Sequence, residues 1–71
     1  MQIRGTIEYK ALGAGAWTLV RDDGKTYELL QPPEQLQQDN LSVIIDGNVR
    51  KDIMTIAMVG DVLEINSFQI V

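Results

Sequence analysis

The sequence predicts a mainly β chain, folded as a five-stranded OB-like Greek-key barrel with a short helix between strands 3 and 4. Three observations lead there. Apolar residues recur with a period of two rather than the helical ~3.6. Glycines interrupt the apolar faces of two strands, where long strands bend to close a barrel. A proline-led helical segment separates three leading strands from two trailing ones, which is the element order of an OB-fold barrel. An SH3-like small barrel is the alternative; it also has five strands but normally lacks that helix.

In the first strand Ile3, Gly5, Ile7 and Tyr9 alternate with Arg4, Thr6 and Glu8, so one face meets a core and the other meets water. Gly5 lies on the inward side and marks a bend. Residues 11–15, with two glycines, form the first loop. The second and third strands flank Asp22-Asp23-Gly24. A two-residue turn would set Leu19 against Glu28 and mix the faces. A three-residue loop, with a type I turn followed by Gly24 at positive φ, sets Arg21 opposite Lys25, Leu19 opposite Tyr27 and Trp17 opposite Leu29. The inner face then carries Trp17, Leu19, Tyr27 and Leu29, and the outer face Thr18, Val20, Thr26 and Glu28.

Gln31-Pro32-Pro33 ends the third strand, because proline lacks a ladder donor and restricts its predecessor. The stretch PPEQLQQDN reads as a helix of one to two turns, with Pro33 at its first position, Glu34 in its first turn and Asn40 closing it in the left-handed conformation. Leu36 is its sole strong apolar anchor, which makes it a plug over one end of the barrel. Leu41, Val43, Ile45, Gly47 and Val49 alternate through the fourth strand. Residues 54–59 are expected to add a short strand before the Gly60-Asp61 turn. The last strand points Leu63 and Ile65 inward, then Phe68 and Ile70; this change of phase requires an extra residue near Asn66-Ser67, a β-bulge.

Composition bounds the function. With 71 residues, 45% of them hydrophobic, residues 1–71 form a single small domain. Cysteine and histidine are absent, so disulfides, thiolate or imidazole metal ligands, and Cys or His catalysis are excluded. The opening MQIRGTIEYK is unlike a secretion signal, and no apolar run reaches the ~18 residues of a membrane span. The expectation is a soluble, cytoplasmic protein. Ten acids against six bases give a formal charge of −4, which opposes phosphate backbones over most of the surface.

The strand-one Gly5, the pattern Trp17-x-Leu19-Val20-x-Asp22-Asp23-Gly24-Lys25-x-Tyr27, the strand Leu41-x-Val43-x-x-x-Gly47-x-Val49-Arg50 and the segment Ile56-x-Met58-x-Gly60 together resemble a family of small bacterial OB-like barrel domains. The likeness spans nearly the whole chain and rests mostly on turn and core positions. It implies the barrel and brings no reaction with it.

OB-folds that bind oligonucleotides use the outer face of strands 2 and 3 together with stacking aromatics and a basic groove. Here Trp17, Arg21, Lys25 and Tyr27 are the candidate contacts for single-stranded nucleic acid. The chosen register turns both rings inward as core and leaves the two cations solvated at the tip. Asp22, Asp23, Asp46, Asp52 and Asp61 lack the spacing of a cation loop, and Asp22-Asp23 is explained by its turn. No nucleophile motif, phosphate loop or cofactor fingerprint occurs, so neither an enzyme nor a cofactor is expected. Val20, Ile44, Met54, Met58 and Val59 are the candidate interaction surface, with another protein or a second copy as partner. The leading expectation is thus a non-enzymatic protein-interaction or assembly module.

Overall fold

The computed structural model describes residues 1–11, 13–55 and 59–71. Strands β1 (Gln2–Lys10), β2 (Ala16–Arg21) and β3 (Thr26–Leu30) form a meander, and β4 (Ser42–Arg50) and β5 (Asp61–Ile70) complete the order. They close a barrel in the sequence β1-β2-β3-β5-β4, with β4 returning to β1. Every pairing is antiparallel except β3 with β5. This is the OB-like Greek-key barrel that the sequence predicts.

The β2–β3 hairpin takes the three-residue loop. Gly24 donates its N–H to the Arg21 carbonyl at 2.8 Å, and Arg21 donates to the Lys25 carbonyl at 2.8 Å. Leu19 pairs with Tyr27, flanked by Thr18 with Glu28 and Val20 with Thr26. Gly24 has φ of 93°, a conformation that costs any residue with a Cβ. In β5 the phase changes where expected: Ser67 pairs with Asp46 and Ile65 with Gly47, so Asn66 is the extra residue of a bulge. Gly47 faces this bulge, and a Cβ built there would collide with the Glu64 carbonyl.

The core consists of Ile3, Ile7, Leu19, Tyr27, Leu29, Leu36, Val43, Ile45 and Leu63, with Trp17, Leu41, Val49, Ile65 and Phe68 packed against it half-buried. Leu36 is fully buried and does plug the barrel. Its helix, however, shrinks to a single 3₁₀ turn, Glu34–Leu36, held by Leu36 N–H to Pro33 C=O at 2.9 Å and Gln37 N–H to Glu34 C=O at 3.0 Å. Pro33 stands just before the turn in an extended conformation rather than at its first position. One apolar anchor supplies no stripe along which a helix could propagate. Asn40 does adopt a left-handed φ of 66°, but away from the 3₁₀ turn, where its N–H reaches the Ile7 carbonyl.

Four side chains depart from the sequence-based faces, one of them Ile70, which shares the inward phase of Phe68 but is 48% exposed at the end of β5. Tyr9 is 45% exposed, because β1 pairs with β4 only over Gln2 to Thr6 and then runs on beside β2 past the end of the barrel. Trp17, its cross-strand partner, is half-buried for the same reason, and the two rings meet edge to face with centroids 5.0 Å apart. Thr18, on the outer face, is fully buried and donates its hydroxyl to the Glu8 carbonyl at 2.7 Å. Met54, Thr55 and Val59 lie outside any strand, and the remainder of the expected 54–59 strand falls outside the described residues.

The two glycines separate strain from collision. Gly24→Ala meets nothing within 4 Å and should cost about 1–2 kcal/mol through its positive φ alone. Gly47→Ala has to force β4 from β5 and should cost more than about 2 kcal/mol. Urea unfolding of the two variants checks the order.

Candidate interaction surface

The chain between β4 and β5 builds a shallow groove of about 280 Å³, lined by Arg50, Lys51, Ile53, Met54, Asp61 and Val62 among others. Its apolar lining comes from both sides of the loop. Val62 precedes inward-facing Leu63 and so points outward, yet it is buried. Met54 stands on the rim, 93% exposed and the most exposed of the large apolar side chains described.

A charged frame holds the rim. Arg50 grips Asp52 with two bonds, Nε to Oδ1 at 2.9 Å and Nη2 to Oδ2 at 2.8 Å, and reaches Glu64 Oε2 through Nη1 at 2.7 Å. The Asp52 carboxyl is pulled down to about 2, chiefly by the hydrogen bonds from Arg50, and Arg50 is pushed above its already high value by the same partner. Asp61 lies 3.7 Å from both Lys25 Nζ and Lys51 Nζ, linking the hairpin tip to the β4–β5 loop. Thr55 donates its hydroxyl to Glu28 Oε1 at 2.6 Å, laying the start of the loop on the outer face of β3. Glu28 pairs across the sheet with Thr18 on one side and Val62 on the other. This row is solvent-facing by sequence pattern, yet at its centre Glu28 is bonded by Thr55 of the chain itself.

Of the described residues expected to form one surface, Val20 and Ile44 do not come together. Met54 is at the groove. Val20, on β2, and Ile44, on β4, are half-buried and separated by β1. Ile44 lines a different hollow with Gln2, Asp46 and Gln69. Val59 is half-buried beside Gly60, and Met58 lies outside the described residues. Sequence reasoning missed Ile53, Lys51 and Val62. The adjacent pair Val62-Leu63 carried a signal, since two consecutive apolar residues in a strand imply that both faces are covered.

The hairpin tells a different story. Tyr27 is buried with its hydroxyl accepting from Arg21 Nη1 at 3.1 Å, and Lys25 Nζ sits 5.3 Å from its ring centroid. Arg21 is further tied to Asp23 through Nε at 2.8 Å and Nη2 at 2.5 Å. The hydrogen bonds from Arg21, then that from the Lys25 N–H, hold the Asp23 carboxyl well below the usual carboxylate range. Trp17 sits away from this cluster, beside Tyr9. Tyr27, Arg21 and Lys25 thus come together, but as a buried ring capped by cations that already have partners.

Among the described residues no three His, Cys, Asp or Glu side chains converge to hold a metal, and no helix is long and apolar enough to cross a membrane. Comparison with protein-family models, with curated proteins and with solved structures gives no match. The chemistry of the surface has to speak for itself.

A depressed folded-state value means that each Asp contributes stability above the unfolded value near 4 and loses it as pH falls through the folded value. For Asp52 that window runs from about 4 down to about 2. Carboxyl carbon NMR should place the Asp52 midpoint near 2, with Asp23 lower than a free aspartate. Asp52→Asn should be less stable than the parent at neutral pH, with the gap narrowing across that window.

Proposed function

We propose that this barrel is a non-enzymatic protein-interaction module whose β4–β5 groove takes an extended peptide segment, with an apolar side chain against Ile53, Met54 and Val62 and a neighbouring carboxylate toward Lys51. The observation that carries this reading is Met54, which stands almost free of the fold on the rim of an apolar groove. A large apolar side chain gains roughly 1.5–3 kcal/mol on full burial, and methionine adapts to the shape of its partner. Lys51 is 80% exposed and only loosely paired with Asp61, so it remains available to an incoming acid. Arg50, by contrast, is committed to Asp52 and Glu64 and acts as frame. The resemblance to small bacterial OB-like domains is compatible with a binding role in the cytoplasm, and the absence of histidine and cysteine supports a role without catalysis.

The competing reading is single-stranded nucleic acid on the hairpin. It loses support because Tyr27 offers no open ring for a base and Arg21 and Lys25 already neutralise carboxylates.

The test is selection of short peptides against the whole chain, followed by calorimetry. Selected peptides should share an apolar residue next to an acid, and Met54→Asp should weaken them at least tenfold, a loss of about 1.4 kcal/mol. Lys51→Glu should weaken them less. Binding insensitive to both substitutions would sink the proposal. In parallel, oligonucleotides at low salt should leave Trp17 emission unchanged; quenching that fades as salt rises would favour the nucleic-acid reading.

A further inference from the structure

The second half of β5 has a free edge. β5 pairs with β3 only over Asp61 to Glu64, whereas it pairs with β4 as far as Ile70. Among the described residues nothing hydrogen-bonds by backbone to the other side of residues 65–70. The direction of the free groups follows from the ladder. Val71 donates its N–H to Ser42 C=O at 3.0 Å, and in an antiparallel pair the bonded positions alternate. Gln69 and Ser67 therefore turn their backbone groups to β4. Phe68 and Ile70 turn theirs to the open side.

Long, uncharged strand edges are normally blunted with charge or proline because they template pairing with another chain. Past the bulge at Asn66 this edge has neither: residues 67–71 read SFQIV, with no charged side chain and no proline. It also carries apolar surface, Ile70 being 48% and Val71 53% exposed.

We propose that this edge pairs antiparallel with the same edge of a second copy, about a two-fold axis at Phe68. Phe68 of each copy then exchanges both N–H···O bonds with Phe68 of the other, and Ser67 stands opposite Gln69. The choice of a second copy rests on two features. The edge is self-complementary in this register, since its free groups belong to the residue on the axis and recur two positions on. It is also an uncharged stretch on a chain of net charge −4, so two copies can approach here without the repulsion they meet elsewhere. Asp46, paired with Ser67, falls in the row of Gln69 of the second copy and not opposite the second Asp46. The contact is short, a few backbone hydrogen bonds, and the proposal is of a weak association with a dissociation constant on the order of 0.1–1 mM. It uses none of the groove residues and stands independently of the peptide-binding reading.

Sedimentation equilibrium of the full chain up to about 1 mM should show a monomer–dimer equilibrium, with the amides of Phe68 and Ile70 shifting in NMR spectra as concentration rises. Ile70→Pro removes an N–H that points to the open side, which an edge strand tolerates, and should weaken association at least tenfold. Substitution at Gln69 gives a second readout through the Asp46 of the other copy: Gln69→Glu should weaken the dimer and Gln69→Lys should not. Met54→Asp should leave association unchanged. The proposal is overturned by a chain that stays monomeric throughout, by a folded Ile70→Pro that associates like the parent, by equal effects of Glu and Lys at position 69, or by loss of the dimer in Met54→Asp.

Discussion

The barrel depends on β5 being two strands in one. Its first half has to reach β3 in parallel while its second half stays on β4, and both halves have to present apolar side chains to one core. A strand of fixed phase cannot do this. The extra residue at Asn66 resets the alternation, so Leu63 and Ile65 before it and Phe68 after it all turn inward. Gly47 is the counterpart on β4, where the chain comes so close to the Glu64 carbonyl that no side chain fits. Together they let a five-stranded sheet curl far enough to close.

Closure also decides what the surface offers. Once β3 and β5 lie side by side, Thr55, from the segment between β4 and β5, bonds Glu28 on the outer face of β3. The face that OB-folds commonly use for ligands is thereby partly occupied. Asp61, at the start of β5, comes to lie between Lys25 and Lys51. These exposed pairs contribute little stability individually. Their larger effect is to neutralise the cations that an anionic polymer would need.

Much of this architecture was legible because it follows from parity. The three-residue Asp-Asp-Gly loop was the turn that kept Leu19 and Tyr27 on one face, and the β5 bulge was the way to bring both Ile65 and Phe68 inward. Parity says nothing of where a barrel ends. Tyr9 and Trp17 have the inward phase, yet they stand where β1 has already left β4, so Tyr9 is exposed and Trp17, edge to face with it, packs on the core only half-buried. Nor does it report which outward residues end up covered: Thr18 and Val62 are buried on an outward face. The plug was legible through Leu36, but its helix was not: a single anchor fixes one turn and no more.

The candidate site was less legible than the fold for a related reason. Outward-facing Val20 and Ile44 were grouped with Met54, Met58 and Val59 because each is apolar and not assigned to the core, a property of each residue alone. A surface needs adjacency, and the barrel puts β1 between Val20 and Ile44. What survives is two unlike surfaces. The groove at Met54 is defined by side chains and a charged rim, so its selectivity would come from the shape and charge of a partner. The edge at Phe68 is defined by backbone groups, which are the same in any extended chain; its selectivity has to come from register and symmetry. Closure requires β5 to turn its first half to β3, and β5 thereby leaves its second half open. The edge opens where β3 ends at Leu30, opposite Glu64, and it is the one long edge without charged side chains among the described strands.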